Sequence, residues 1–274
     1  MTYLPTYLKP RLLELKKILT VSPSVDMTVA FEAISNELFS NWIIDSGDGL
    51  FELFEIEFDF KTQDSVHSDP FVEDAKVQHE MAHWYLSSVG INLTFGTEQF
   101  AASILIRSVR SIESGNYYLG PQRCFKVLME DAGPIETGKS GLKLVERNPV
   151  SGIEMYAIPR VLLPIEFGSQ NLSERLKFGF KPYRYVRVDT KDYHEKYLAV
   201  LFLNKVTGRK VVLKEEGKIY TKYVQFYEKG LECNNIDLVW NVSSRMHRMS
   251  MMLGFLQRQQ QRMAGSSVRR DSTW

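Results

Sequence analysis

Hydrophobic residues in the first 115 positions recur mostly every three or four residues, the spacing of a helix with one buried face. Leucines at this spacing predict a first helix at residues 8–19, and residues 27–38 predict a second. Residues 54–60 differ, because Phe and Ile alternate there with acidic residues, which predicts a strand with one buried and one acidic face. Two further helices are predicted, one beginning at Asp69-Pro70 and one beginning at Thr97.

From about residue 120 the pattern changes to short segments rich in β-formers, separated by turns that contain Gly, Pro and Asn. These segments are residues 125–129, 142–146, 153–158, 183–188, 198–203, 210–213 and 220–227. Such spacing is typical of an antiparallel sandwich or barrel. A last helix is predicted at residues 244–263, followed by a polar tail at 265–274 that we expect to be mobile.

The predicted fold class is therefore α+β. A helix-rich N-terminal part with one strand precedes an antiparallel β sandwich or barrel, and an amphipathic helix ends the chain. The corresponding domains are residues 1–118, which are helix-rich, residues 119–243, which are β-rich, and residues 244–274, which hold the basic helix and the tail.

The composition is that of an ordinary soluble globular protein, with 44% hydrophobic and 24% charged residues in a chain of 274. Lys and Arg number 34 and Asp and Glu 33, so net charge alone implies no polyanionic partner. The two cysteines, Cys124 and Cys233, argue against a disulfide scaffold and fit a reducing compartment. Since no apolar run is long enough for a signal peptide or a membrane span, we expect a cytoplasmic location.

The motif with the most direct chemical meaning is His79-Glu80-Met81-Ala82-His83, which spells H-E-x-x-H inside a segment predicted to be helical. Residues four apart share one face of a helix, so His79 and His83 can hold one zinc ion. Glu80 would be the general base that takes a proton from metal-bound water as it attacks a peptide carbonyl. The pattern favours a zinc-dependent peptidase that acts on a protein substrate. The alternative is an ordinary amphipathic helix with two partly exposed histidines.

A catalytic zinc site needs a third protein ligand, and Glu98, at the first turn of the next predicted helix, is the candidate. The stretch from His79 through the Ala-rich residues after Glu98 resembles the gluzincins, and more narrowly the ImmA/IrrE-type metallopeptidases. Members of that group have an H-E-x-x-H helix and then an acidic, Ala-rich helix that contains Phe-Ala. The resemblance covers residues 70–106 and implies a zinc cofactor, with Glu80 as the catalytic residue.

Residues 133–140, Gly-Pro-Ile-Glu-Thr-Gly-Lys-Ser, match the P-loop consensus letter for letter. A working P-loop follows a buried strand and opens into a helix whose N-terminus holds the phosphates. Residues 142–152 predict a β-hairpin instead, and no apolar strand ending in Asp supplies a Walker B partner. We therefore interpret the segment as a glycine-containing loop.

A second functional hypothesis rests on two basic segments. Residues 177–187 interleave cations with aromatic rings, as surfaces that bind single-stranded nucleic acid do, although an alternating strand also buries one row of rings as core. The terminal helix places arginines opposite a face rich in Met and Leu, and no acidic residue occurs from residue 238 to 270. The candidate nucleic-acid-binding residues are Lys177, Lys181, Arg184, Arg187, Arg245, Arg248, Arg258 and Arg262.

A Met-rich basic helix also suits a partner protein or a peripheral contact with a membrane surface. It equally suits docking on the β-sheet, with its arginines in solvent. The function that corresponds to these features is a non-enzymatic assembly protein of the viral coat, matrix or movement type, which would also form oligomers.

Overall fold

The structure is a computed structural model that describes residues 17, 19–23, 26–63, 67, 69–130, 141–160, 178, 181–187, 195–208, 210 and 218–270. The chain forms two compact units. We call residues 1–157 with 183–189 the sheet unit, and residues 158–182 with 190–274 the helical unit. The predicted boundaries near residues 118 and 243 fall inside these two units.

Among the described residues, a nine-stranded antiparallel sheet forms the framework of the sheet unit. Its strands are β1 (Trp42–Asp45), β2 (Leu50–Thr62), β3 (Met81–Leu86), β4 (Ile91–Phe95), β5 (Phe100–Ser111), β6 (Tyr117–Leu119), β7 (Lys143–Glu146), β8 (Met155–Ile158) and β9 (Arg184–Arg187). The main path runs β3-β4-β5-β2-β1-β7, with β6 paired to β5 and β9 paired to both β2 and β8. Strands β2 and β5 therefore lie at the centre, and β3 forms one edge of the path.

One face of the central strands packs on helix α1 (Thr28–Asn41), which confirms the helix predicted at residues 27–38. Its Phe31 ring stacks on Phe58 of β2, with centroids 4.2 Å apart and an interplanar angle of 6°. A second helix, α2 (Pro121–Met129), contacts β5 through a side that buries Cys124 and Leu128. The strand predicted at residues 125–129 is therefore wrong.

The strand predicted at residues 54–60 is confirmed as part of β2, but its alternation is broken by a bulge between Leu53 and Ile56. Beyond the bulge Ile56 and Phe58 belong to the hydrophobic core that includes α1. Phe54 instead lies beside arginines, with the Arg187 guanidinium 4.4 Å from its ring centroid. The second face of β2 is therefore a buried charged layer and not the open acidic surface that alternation predicts.

The helical unit contains α3 (Glu195–Phe202), which continues as a π-helical turn (Leu203–Thr207), and then α4 (Lys218–Glu232), α5 (Ile236–Trp240) and α6 (Arg245–Arg270). The strands predicted at residues 198–203 and 220–227 are wrong, because both segments are helical. The terminal helix is confirmed, although it runs through Arg270, so the predicted tail at residues 265–274 begins too early.

Helices α4 and α6 cross at very short range through two glycines. A Cβ added at Gly230 would lie 2.0 Å from the Met251 carbonyl oxygen, and one at Gly254 would lie 2.0 Å from the Tyr227 carbonyl oxygen. Atoms cannot approach so closely, so the crossing requires glycine at both positions. Tyr223 on α4 is buried in the same helix pair, and its ring centroid lies 5.8 Å from that of His247 on α6.

The α+β fold class is confirmed, but the predicted helix-rich N-terminal part is not. Strands dominate the described residues before 158, and helices dominate those after 194. The predicted helix at residues 8–19 lies outside the described residues except for Lys17 and Leu19, as do the P-loop-like residues 133–140 and most of 210–213. Both cysteines are free and buried. Within the part of the chain described above, no helix has the length and hydropathy that crossing a membrane requires.

Candidate functional site

The H-E-x-x-H segment is not a helix. A short 3-10 helical turn (Lys76–His79) is followed by extended backbone at Glu80 and then by strand β3. The buried side chain of Gln78 fixes this turn, since its amide nitrogen donates to Ser103 Oγ at 3.1 Å and its oxygen accepts from Ala75 N at 3.0 Å. The helical spacing that would bring His79 and His83 to one face is therefore absent.

Gly96, between β4 and β5, holds the same turn against the sheet. A Cβ at this position would lie 1.8 Å from the Gln78 carbonyl oxygen and 2.6 Å from that of Phe100. Only a residue without a side chain allows this approach. The backbone of the turn before the motif thus packs on the β4–β5 hairpin. The side chains of the motif do not lie on one face of a helix.

Both ring nitrogens of His79 have hydrogen-bond partners. Nδ1 lies 2.9 Å from the Thr97 carbonyl oxygen, and Nε2 lies 2.7 Å from Asp74 Oδ1. The hydrogen bond to Asp74 raises the pKa of His79, against the opposing effect of partial burial. This favours the imidazolium, whereas a zinc ligand must be neutral with a free nitrogen. The pair contributes stability below pH 6.5, the ordinary value, and that contribution is lost as the pH rises through the raised pKa.

The other two proposed zinc ligands, His83 and Glu98, do not converge with His79 on one point. His83 lies on β3 with about half of its side chain exposed, and its Nε2 is 3.4 Å from Glu80 Oε2. Glu98 is exposed in the tight turn before β5, because the helix predicted from Thr97 is in fact that strand. Among the described residues no group of three or more His, Cys, Asp or Glu could hold a metal ion. The residues present therefore do not fit the zinc site that the resemblance implies.

The backbone of the motif is strained at Ala82, which has φ of +65° at the bulge between Met81 and Trp84. We expect Ala82→Gly to raise the free energy of unfolding by about 1 kcal/mol, since glycine adopts this conformation without the Cβ clash. Chemical denaturation measures this change. The matched control is Ala75→Gly, at φ −76°, which should destabilise the protein by about 0.5–1 kcal/mol. Equal effects of the two substitutions would contradict the assignment of strain to Ala82.

Two arginines of the proposed nucleic-acid surface are buried. Arg184 and Arg187 on β9 are only 1% and 3% exposed. Arg184 forms an ion pair with Glu55, and Arg187 Nη1 lies 3.8 Å from Glu52 Oε2. Neither side chain can contact a phosphate backbone in this fold, so the prediction for these two residues is corrected. The alternative that this segment buries its rings as core is supported here, since Tyr183 and Tyr185 are also in the hydrophobic core.

The glutamates of β2 meet these arginines in a buried network. Arg107 binds two of them, with Nε 3.2 Å from Glu55 Oε1 and Nη1 2.9 Å from Glu57 Oε2. Ser108 Oγ donates to Glu55 Oε2 at 2.7 Å. The charged members are Glu52, Glu55, Glu57, Arg107, Arg110, Arg147, Arg184 and Arg187. Buried charges require such pairing, so the network is part of the structure of the sheet.

The remaining candidate cations differ in their roles. Arg248 Nε donates to the Val242 carbonyl oxygen at 2.9 Å, and Arg258 Nη1 donates to the carbonyl oxygens of Glu232 and Cys233 at 2.8 and 2.9 Å. Arg258 thereby binds backbone groups at the end of α4, a position that favours a cation. Arg262 is exposed on α6, and Arg245 is the first residue of that helix. Lys181 Nζ lies 4.9 Å from the Phe178 ring centroid. Lys177 lies outside the described residues.

Helix α4 carries a cationic stripe that the sequence-based prediction missed. Lys218, Lys222, Phe226 and Lys229 are spaced 4, 4 and 3 residues apart, so they follow one side of the helix. The three lysines are exposed, and the Phe226 ring stacks on the His247 imidazole of α6. The spacing was available in the sequence, but the aromatic residues of this segment were interpreted as a strand.

The charge of the chain is distributed unevenly. Residues 218–270 contain nine Lys and Arg and three Asp and Glu, which gives a net charge of +6. The whole chain has +1, so all other residues together have −5. The near-neutral total therefore conceals a basic set of helices, α4 to α6.

No protein-family model matches this chain, and no curated protein is significantly similar to it. Its function is therefore inferred from the geometry and charge of the described residues.

Proposed function

We propose that this protein is a non-enzymatic assembly protein that binds nucleic acid through helices α4 to α6. The observation that carries the proposal is the net charge of +6 on residues 218–270, against −5 on the rest of the chain. Clustered cations bind phosphates mainly by releasing condensed counterions, and this contribution does not depend on the base sequence. An excess of cations confined to one part of a chain is the electrostatic pattern of such a surface.

Nucleic acid is favoured over a membrane as the partner. A helix that lies on a bilayer inserts its apolar face among the lipids. Six apolar residues in the central part of α6 are instead buried within the protein; they are Met249, Met251, Met252, Leu253, Phe255 and Leu256. The exposed lysines of α4 are therefore the surface that can contact a partner. The partly exposed ring of Phe226 among them suits single-stranded nucleic acid, because bases can stack on an aromatic ring.

A zinc peptidase receives no comparable support. His79 is held by Asp74 and Thr97, and the three proposed ligands do not form a group that could hold a metal. Elemental analysis separates the two hypotheses. We expect the purified protein to contain no stoichiometric zinc, and Glu80→Gln to leave its properties unchanged. One zinc per chain, lost in His83→Ala, would restore the peptidase hypothesis.

We expect the protein to bind a fluorescein-labelled single-stranded oligonucleotide of about 20 nucleotides with strong salt dependence. If about four phosphates are contacted, log Kd should rise with log salt with a slope of about 3, or about 50-fold between 50 and 200 mM. Fluorescence anisotropy measures both values. Absence of binding at low salt, or an affinity that salt does not change, would contradict the proposal.

A further inference from the structure

His247 of α6 and Lys229 of α4 lie against the ring of Phe226 on α4, and Lys222 lies one helical turn from this ring. The His247 imidazole stacks on Phe226, with ring centroids 4.3 Å apart and an interplanar angle of 7°. Lys229 Nζ lies 4.9 Å from the same Phe226 centroid. Lys222 lies one helical turn before Phe226 on the same side of α4, and its positive charge lowers the pKa of His247. Three groups that carry or can carry positive charge therefore share a partly exposed surface.

We infer that Lys222, Lys229 and His247 form a binding site for the backbone phosphates of nucleic acid, and that protonation of His247 strengthens the binding. This inference rests on the proposed function and adds to it a defined site and a dependence on pH. A stacked imidazole keeps a fixed orientation, so a phosphate bound beside the lysines meets its N–H donors without further ordering.

The surroundings of His247 determine the direction of the pH effect. Burial lowers the pKa of His247, and the charge of Lys222 lowers it further, so the imidazole is largely neutral at neutral pH. A bound phosphate offers the opposite charge and raises this pKa again. Binding therefore takes up a proton, and by linkage the affinity must increase as the pH falls through the pKa of His247 in the complex.

Other ionisable groups near His247 do not change this sign. Tyr223 on α4 is buried beside the imidazole, and a phenol ordinarily titrates well above this pH range. Helices α3 and α5 also pack against α6. By sequence, the charged residues of α3 and α5 are Glu195, Lys196 and Asp237, and Arg245 and Arg248 lie within two residues of His247 in the chain. Carboxyl, ammonium and guanidinium groups ordinarily keep one charge state between about pH 5.5 and 8.

Anisotropy titrations of the labelled oligonucleotide at about pH 5.5 and pH 8, at fixed salt, test the inference. For the wild-type protein we expect Kd to be about three- to tenfold lower at the acidic pH, the effect of one added charge-assisted contact. His247→Phe keeps an aromatic ring on Phe226 but cannot titrate, so it should lose most of this difference; His247→Asn is the second variant if the first does not fold.

Lys222→Gln should weaken binding about three- to tenfold at pH 8, and should move the midpoint of the remaining pH dependence upwards, because the charge that lowers the pKa of His247 is gone. The matched control is Lys126→Gln, an exposed lysine on α2 in the sheet unit, which should bind as the wild type does. Circular dichroism checks that each variant is folded.

Each outcome separates this inference from the proposed function. If the wild type binds but His247→Phe keeps the full pH dependence, or Lys222→Gln binds as Lys126→Gln does, the phosphate site is wrong and the broader proposal stands. If the wild type binds no oligonucleotide at either pH, both fail.

Discussion

Glu55→Gln should lower the free energy of unfolding of the sheet unit by about 3–5 kcal/mol, the usual effect of removing one partner of a buried ion pair. Glu55 is 1% exposed and accepts from Arg107 and Ser108 as well as from Arg184. The amide keeps the shape and one hydrogen bond but no negative charge, so the buried Arg184 guanidinium loses its compensation. Hydrogen exchange of the β2 and β5 amides measures the loss locally.

Two further variants make this prediction specific. Glu113→Gln, an exposed carboxylate just after β5, should change stability by less than about 0.5 kcal/mol. The double variant Glu55→Leu with Arg184→Met should recover part of the loss, because an apolar pair leaves no unpaired charge between these positions. If Glu55→Gln and Glu113→Gln had equal effects, the buried network would not be a source of stability.

Gly254→Ala should destabilise the helical unit by about 2 kcal/mol net. Alanine favours the helix by about 1 kcal/mol over glycine. Against this, its Cβ would meet the Tyr227 carbonyl oxygen at 2.0 Å, and forcing two helix backbones apart costs about 3 kcal/mol. The steric effect is larger, and Gly230→Ala should behave in the same way because its Cβ would meet the Met251 carbonyl oxygen.

Thermal unfolding followed by circular dichroism at 222 nm tests this crossing. Thr221→Ala is the control, since Thr221 is exposed on α4 and the substitution should be neutral or slightly stabilising. Stabilisation by Gly254→Ala similar to that by Thr221→Ala would mean that α4 and α6 do not approach each other through these glycines.

Sequence patterns predicted α1 and the terminal helix, which have polar outer sides, but failed for β5, which is buried on both faces. The helix at residues 27–38 and the terminal helix were confirmed because polar residues mark their outer sides. Strand β5 was predicted as a helix because Ala101, Leu105 and Val109 recur every four residues. The intervening Ala102, Ile104 and Ile106 are also buried, so both faces of β5 are covered and the two-residue period disappears.

The candidate site shows a different limit of sequence patterns. The H-E-x-x-H match is local, but the turn that ends at His79 depends on contacts of Gln78 with Ser103 and Gly96. These residues come later in the chain, and no local pattern reveals the contacts. The cationic stripe on α4 was predictable, since Lys218, Lys222 and Lys229 have helical spacing. The aromatic residues of the same segment favour a strand, whereas the spacing of the lysines favours a helix. The prediction followed the residue types and not the spacing.

The pairing of β2 with β9 is beyond sequence patterns for the same reason. Glu55 and Val186 are register partners separated by 131 positions. The acidic residues of β2 predicted an acidic face. Arg184 and Arg187 from β9 join the arginines of β5 in pairing with these glutamates, and this pairing is what makes their burial favourable.

Photocrosslinking of a 4-thiouridine-substituted single-stranded RNA, followed by mass spectrometry of the crosslinked peptides, tests the central claim most directly. If α4 to α6 bind nucleic acid, the crosslinks should fall within residues 218–270, should include the peptide that contains Phe226 or the one that contains His247, and should decrease as salt is raised. Crosslinks confined to the sheet unit, or none above the level of a non-binding control protein, would contradict the account.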